Sequence, residues 1–523
     1  LKKHTAKNSI LFTRAFFNHP ILFALVLLTL PGVTAHAETR QSPNIILVLV
    51  DDQGWTGTSV QMAKAIDSSR SFLYQTPALE AFAKEGVRFS SGYSSAPNCS
   101  PARMSIQTGK TAARLKSTDI TTVHPNNYDK EPYGRIMHRR AYVNKPLLID
   151  LPVPELSLEE QTIAELLKAT RPEYVSAHIG KWHLGTAPDL HGYTVHSGNT
   201  SNVEGEIGDP DPKRTKEVTQ QAIDFLKQQA ASKTPFFLQV SYYAVHTPLR
   251  AFESSILAVQ DRQTESRRKG TDRRVNHLHP EYAAMTEELD SAFGTLMDSL
   301  DELGLADSTY VIYTSDNGAE IQNSITTNSP LARGKTSVWE GGIRVPFLVR
   351  GPGVAPGLQV DLPVVGYDIL PTIAEWLEIQ DLPADLDGES FAGLLTEDAA
   401  EASPREKGLI WYYGAYRNGK HVSPQMAFRK GDIKLYWDIQ NDRVDLYDLS
   451  LDLSETTNLA GFFPDLADSM LSELKAYMDS VGVSLPKPNP DYDPRLDPGL
   501  RLRILEESEP RMRNQGQPKE PAT

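Results

Sequence analysis

The chain has 523 residues, 40% of them hydrophobic and 23% charged, with a formal net charge of −14. That length holds roughly two to four domains, and the composition is that of a folded globular protein rather than a disordered one. The acidic balance argues against general nucleic-acid binding, which needs basic patches, but leaves room for an anionic ligand held by a few local cations.

In chain order the first feature is an address. Lys2, Lys3, Lys7 and Arg14 form a basic leader, residues 21–30 a short apolar run, and Ala35-His36-Ala37 an A-x-A site. This pattern predicts a secretory signal peptide over residues 1–37, cut near Ala37, and hence a periplasmic or secreted protein. The apolar run is too short to span a bilayer comfortably and stops at Pro31-Gly32, so no stable membrane insertion is expected. Export normally licenses disulfides, but Cys99 is the only cysteine and cannot form an internal bridge.

Residues 44–50 are a continuous apolar, β-branched run of the kind buried on both faces of a parallel sheet, and the run ends in Asp51-Asp52. Three similar runs follow: residues 174–177 lead to Lys181 and His183, residues 235–240 to His246, and residues 310–313 to Asp316-Asn317. Between them lie helical patterns over residues 157–168, with Ser157 as a plausible cap, and over 215–228. Tyr282, Met285, Leu289, Phe293, Leu296 and Leu300 trace one face of a third helix. Strands alternating with helices predict an α/β fold with a large, mainly parallel sheet sandwiched by helices. Ligands of such sheets bind beyond the carboxyl ends of the strands. If these four strands share one sheet, the polar residues that follow them gather at one edge.

The main domain is expected over residues 38–390, closing near Gly388. Strand-like runs at 426–435 and 445–449, then an amphipathic run at 466–477, predict a smaller α+β C-terminal domain over 391–485. The tail, 486–523, is expected to be extended, and mobile from about Glu507. Gly334-Lys335-Thr336 resembles half a phosphate-binding loop, but Ser329 stands where that loop needs glycine.

Three constellations carry chemistry. Pro101 is well placed as the first residue of a helix, which would set Cys99 just before a helix N-terminus, where backbone N–H groups favour an anion, and Arg103 one turn on. The plain alternative is a buried, inert cysteine. Asp51, Asp52, Asp316 and Asn317 are hard oxygen ligands suited to Ca²⁺ or Mg²⁺, although such residues are also ordinary turn chemistry. Lys181, His183, His246 and Lys335 form a cationic set, and the i, i+2 spacing of Lys181 and His183 points them the same way if the segment is extended.

On these residues the chain resembles the type I, formylglycine-dependent sulfatases, the arylsulfatase-like branch of the alkaline phosphatase superfamily. Their Cys-x-Pro-x-Arg pattern with a downstream Thr-Gly is matched by Cys99, Pro101, Arg103 and Thr108-Gly109, with Ala102 in place of the commoner Ser. The likeness runs from Pro43 to about Pro494 and includes residues 339–346 and 430–434. The resemblance implies an alkaline phosphatase-like fold and hydrolysis of sulfate esters. It implies that a maturation enzyme converts Cys99 to formylglycine (3-oxoalanine), whose hydrate attacks sulfur with one hydroxyl and expels sulfate through the other. It further implies Ca²⁺ held by Asp51, Asp52, Asp316, Asn317 and the modified Cys99. Arg103 would hold the hydrate, Lys181 and Lys335 would clamp sulfate oxygens, His183 would take the proton that starts sulfate release, and His246 would protonate the leaving oxygen. Elementary chemistry agrees: a sulfate monoester needs a proton donor for its leaving group and fixed cations for its charge.

The substrate is less legible. Three loops would read it: residues 53–74, 112–156 and 188–209. The second carries His124, Tyr128, Tyr133, Arg135, His138, Arg139 and Arg140; the third carries His191, His196, Asn199 and Asn202. His191 and His196 are candidate substrate contacts, and polar loops favour a sulfated carbohydrate, polysaccharide or oligosaccharide. Two rival readings remain open: a phosphate or phosphonate ester hydrolase of the same superfamily, and a catalytically retired glycan-binding protein.

Overall fold

The computed structural model describes residues 42–121, 141–203, 205–206, 208–269, 279–322, 325–401, 405–417 and 422–497. The leader over 1–37, the seven loop residues from His124 to Arg140 and the segment from Glu507 lie outside the described residues.

The chain begins with β1 (Asn44–Val50), α1 (Pro77–Glu85), β2 (Val87–Phe89), β3 (Gly92–Tyr93) and α2 (Cys99–Thr108). Next come β4 (Leu147–Leu148), α3 (Ile163–Thr170), β5 (Val175–Gly180), β6 (Val195–His196), α4 (Thr215–Ser232) and β7 (Phe236–Ser241). Then follow α5 (Glu253–Lys269), α6 (Pro280–Glu302), β8 (Thr309–Ser315), α7 (Glu340–Ile343), β9 (Phe347–Arg350), β10 (Gln359–Val360), β11 (Val364–Val365) and α8 (Ile369–Trp376). The last third holds β12 (Leu409–Tyr413), β13 (Gln425–Lys430), β14 (Ile433–Asp438), β15 (Arg443–Asp448), α9 (Pro464–Ser480) and β16 (Lys487–Pro488).

Eight strands form one sheet in the order β10-β2-β9-β8-β1-β7-β5-β6. β1 lies at its centre, parallel to both β7 and β8, and β5 is parallel to β7; β9 alone runs against its neighbours β2 and β8. All seven residues of β1 are buried, because both faces of the strand meet a core. Ile46, Val48 and Val50 face one core, with the apolar stripes of α4 and α6; Ile45, Leu47 and Leu49 face the other, with residues of α2, α3 and α8. This alternation is the period of two that a strand imposes. The four strands read from the sequence are therefore adjacent, as β8-β1-β7-β5.

A second, antiparallel sheet, β12-β13-β14-β15, has two covered faces. One packs on Met470, Leu474 and Met478 of α9, the other on Tyr93, Val338, Ile343 and Tyr367 of the main body. Two local expectations need correction. The helix placed at Ser157 starts at α3, because Thr162 and Glu165 form a reciprocal capping box while Ser157 only closes a turn. The single run at 426–435 is a hairpin, β13 and β14, broken at Gly431, whose φ of +60° is one that glycine adopts freely. Among the described residues no helix is long and apolar enough to cross a membrane.

Candidate active site

Three of the central strands end in the residues that matter. Asp51 and Asp52 follow β1, Lys181 follows β5, and Asp316 and Asn317 follow β8. The turns after β1 and β7 are tied together: the Asp51 amide donates to the Ala244 carbonyl (3.0 Å) and the Val245 amide to the Asp51 carbonyl (2.6 Å), which brings His246 to the same edge. Asp316 is fixed by its amide to the Val50 carbonyl (3.1 Å).

Cys99 is the first residue of α2, with Asn98 as cap; Pro101 sits two residues in, not at the helix start. The helix is buried along its whole length and ends at Gly109 in a left-handed conformation (φ +69°). It delivers the Cys99 Sγ to 3.6 Å from Asp51 Oδ1 and 3.4 Å from Lys335 Nζ. One turn on, Arg103 donates from Nε to Asp316 Oδ2 (2.8 Å) and from its terminal nitrogen to the Lys181 carbonyl (2.6 Å). Lys181 Nζ lies 2.5 Å from Asp51 Oδ2, and Lys335 Nζ lies 2.6 Å and 2.7 Å from the two oxygens of Asp52. Asn317 Nδ2 donates to Asp52 Oδ1 (2.7 Å). His246 Nε2 is 3.8 Å from Asp52 Oδ2, its other ring nitrogen held on the Thr247 carbonyl.

Three carboxylates and three permanent cations thus interlock, all buried except for the partly open ends of Lys335 and His246. Burial would raise the Asp52 carboxyl, but Lys335, His246 and Lys181 hold it well below the usual carboxylate range. Burial, then Asp51, pushes Asp316 up despite Arg103. The Cys99 thiol is pushed up to about 12 by burial, against the pull of Lys181 and Lys335, so the expected thiol acidification at a helix start does not prevail. Burial and then Lys335 lower His246 to about 3, and burial and then Lys181 lower His183 well below its usual value.

His183 has no hydrogen-bond partner on either ring nitrogen among the described residues, although its side chain is buried. Its φ of +61° breaks the extended geometry that would have aligned it with Lys181. Asp52, Arg333 and Thr336 also carry positive φ (61°, 63° and 70°), so left-handed backbone at non-glycine residues clusters at this edge.

The donor set suits a hard divalent cation. Oxygen ligands predominate, and the buried Asn317 Oδ1 has no partner, an orphan that a cation would satisfy. Ligand atoms of Asp51, Asp52, Cys99 and His246 all lie within 4.8 Å of one another.

Two expected substrate contacts stand apart. His191 is fully buried; its Nε2 pairs with Thr186 Oγ1 (2.7 Å) and its ring packs near Trp182, so it serves the interior. His196 lies on the edge strand β6, 3.9 Å from Asp189, away from the carboxylate cluster. Sequence reasoning passed over Tyr282, whose hydroxyl donates to the Asp52 carbonyl (3.3 Å), because it fits the apolar stripe of α6. It also passed over Ser315, whose hydroxyl accepts the Gln53 amide (3.0 Å) beneath the acidic pair.

A family model described as Sulfatase matches residues 43–379, and one described as N-sulphoglucosamine sulphohydrolase, C-terminal, matches residues 334–481. A protein named Sulfatase from Formosa agariphila is 26% identical, over 88% of this chain and 93% of its own length. Human arylsulfatase A is 28% identical over 86% and 91%. Canine N-acetylgalactosamine-6-sulfatase is 30% identical over 64% of this chain and 62% of its own length. Among solved structures, Ps i-CgsB in complex with k-i-k-neocarrahexaose superposes with a TM-score of 0.66 at 22% identity, covering 90% of this chain and 99% of that one. BT4656 in complex with its substrate D-glucosamine-2-N,6-O-disulfate does so with a TM-score of 0.60 at 19% identity, covering 84% and 98%.

Proposed function

The chain belongs to the sulfatase family, and on that premise we propose that it hydrolyses sulfate esters of a carbohydrate, with Cys99, converted to formylglycine, as the nucleophile. The observation that carries this reading is the single cysteine of the chain, placed at the start of a buried helix and ringed by Asp51, Asp52, Arg103, Lys181 and Lys335. A lone buried cysteine has no need of three permanent cations around it; a nucleophile facing a sulfate has.

The hydrated aldehyde would supply an oxygen nucleophile and a second hydroxyl through which sulfate can leave. A Ca²⁺ ion, when bound by Asp51, Asp52, Asp316 and Asn317 with the modified Cys99, would supply positive charge beside the reacting oxygens; these ligand types do not exclude Mg²⁺. The rest is the work of side chains. Arg103, held by Asp316, offsets charge at residue 99. Lys181 and Lys335, at opposite carboxylates, are placed to exchange part of their pairing for sulfate oxygens. His246, partly open to solvent and 3.8 Å from Asp52, is the donor to the leaving oxygen once it carries a proton. His183, with both ring nitrogens unpaired, takes the proton that starts sulfate release.

The carbohydrate class draws support from the named substrates and ligands of the relatives: a galactosamine 6-sulfatase by name, and structures solved with a carrahexaose and with a sulfated glucosamine. The leader ending near Ala37 supports export, to the periplasm or beyond. The test is a screen of defined sulfated mono- and oligosaccharides with enzyme co-expressed with a formylglycine-generating enzyme. Release of inorganic sulfate from at least one of them is expected. Turnover of aryl sulfate with no sulfated sugar accepted would overturn the carbohydrate assignment.

A further inference from the structure

A buried charge cluster outside the site lies where the two sheets meet. Glu340, the first residue of α7, is fully buried. Its carboxylate accepts from Lys434 Nζ (2.9 Å) at one oxygen, and from the Tyr93 hydroxyl (2.7 Å) and Arg344 (3.0 Å) at the other. Lys434, on β14 and fully buried, pairs again with Glu455 Oε1 at 2.8 Å. Glu455 closes the ring: its second oxygen accepts the Glu340 backbone amide at 2.7 Å. Burial and then the neighbouring Glu340 raise Glu455, while Lys434 and Arg344 hold Glu340 low, so the charges are unequally shared.

Burying such a set is costly, and apolar packing would often hold two sheets together as well. What this set grips is informative. The backbone of α7 is tied to three segments that carry site residues. The Gly342 carbonyl accepts the Gly318 amide (2.9 Å), next to Asn317; the Gly341 amide donates to the Ala332 carbonyl (2.8 Å), in the segment leading to Lys335; the Ile343 carbonyl accepts the Ser94 amide (2.8 Å), on the approach to Cys99. No side chain cushions these contacts. A Cβ on Gly341 would lie 2.3 Å from the Arg333 carbonyl oxygen, one on Gly342 1.9 Å from that of Ser337, and one on Gly318 2.0 Å from that of Gly341. Any movement of α7 is therefore passed on to the Lys335 and Asn317 backbones.

We propose that Lys434 and Glu455 of the smaller sheet are positioning residues for the reaction: by clamping Glu340 they fix α7, and through it the placement of Lys335 and Asn317 against Cys99. The C-terminal sheet is then part of the catalytic apparatus and not only a second core. The proposal rests on the sulfatase reading.

The test compares the matured full chain with Lys434→Met, Lys434→Arg and Glu455→Gln, and with Lys430→Ala, an exposed pair with Glu473 on the same sheet, as control. Each variant is assayed for aryl sulfate hydrolysis well below its melting temperature, with folding checked by circular dichroism. Glu455→Gln keeps an acceptor for the Glu340 amide and so carries the test if Lys434→Met does not fold. Misplacement by about an ångström costs up to 10²-fold in rate. Lys434→Met is expected to lower kcat about 10- to 100-fold with KM within about twofold, Glu455→Gln to fall between it and the native enzyme, Lys434→Arg to recover part of the loss, and Lys430→Ala to match the native enzyme. Folded Lys434→Met or Glu455→Gln enzyme with native kcat would overturn the proposal. A native enzyme that turns over no sulfate ester would overturn the reading beneath it instead.

Discussion

Cys99 is surrounded in a way that suits a converted residue better than a thiol. Its sulfur is buried against Asp51 and Lys335, and among the described residues no histidine is bonded to it as the base of a cysteine hydrolase would be: His246 is held over Asp52 and the thiol is pushed up to about 12. Cys99→Ser, which leaves the maturation enzyme no thiol to oxidise, is expected to cost at least about a thousandfold in turnover while leaving the melting temperature near native. Lys335→Ala removes the proposed sulfate clamp and leaves Asp52 short of its closest cation, with an expected loss of about 10²–10³ in rate. A third residue, His178, sets an acid limit. It is fully buried on β5 beside Trp182 and Tyr193, with Nε2 on Ser241 Oγ (3.2 Å), and burial and then Arg103 lower it from 6.5 to about 3. The unfolded chain then binds a proton that the folded chain refuses between pH 6.5 and about 3. Stability is complete above that window and falls with decreasing pH through it, by about 1.4 kcal/mol per pH unit for one group. Urea titrations across pH 3.5–6.5 should show a shallower slope for His178→Gln than for the native protein.

At the scale of elements, the site depends on turns whose backbones touch. Gly180 ends β5 with φ +99°, and a Cβ there would lie 2.0 Å from the Ser241 carbonyl oxygen. Gly180→Ala must therefore push β5 from β7 just where Lys181 and His246 depart, and a loss of about 2–4 kcal/mol in stability, with a drop in kcat, is expected. The same scale shows what could be read from the chain alone. β1, β5, β7 and β8 are apolar and β-branched enough to be found directly, and Asp51, Lys181 and Asp316 follow from where those runs stop. The contact between α2 and that edge joins residues far apart in sequence, and only the motif around Cys99 pointed to it. The fate of His191 was not legible. A histidine in a polar loop looks like a ligand until Thr186 and Trp182 are seen to hold its ring in the interior. The hairpin at Gly431 was hidden because its two strands read as one run, and β12 was passed over although Gly408 and Gly414 bound its apolar run.

For the molecule as a whole, the balance of charge at the sheet edge is the controlling quantity. Asp51, Asp52 and Asp316 are matched by Arg103, Lys181 and Lys335, so the site is near neutral before any divalent cation or sulfate arrives. A cation binding the folded state alone stabilises it by about 2.7 kcal/mol at a concentration a hundred times its Kd. Calcium added to chelator-treated protein should therefore raise the melting temperature and restore activity together, and Asn317→Ala should weaken both responses. The central claim, that this edge hydrolyses sulfate esters through a converted Cys99, is tested most directly by one ratio. It is the kcat/KM of the matured enzyme for para-nitrophenyl sulfate over that for para-nitrophenyl phosphate. A ratio well above one, lost in Cys99→Ser, is expected; faster phosphate turnover would point to a phosphate ester hydrolase, and sulfate turnover that survives Cys99→Ser to another nucleophile.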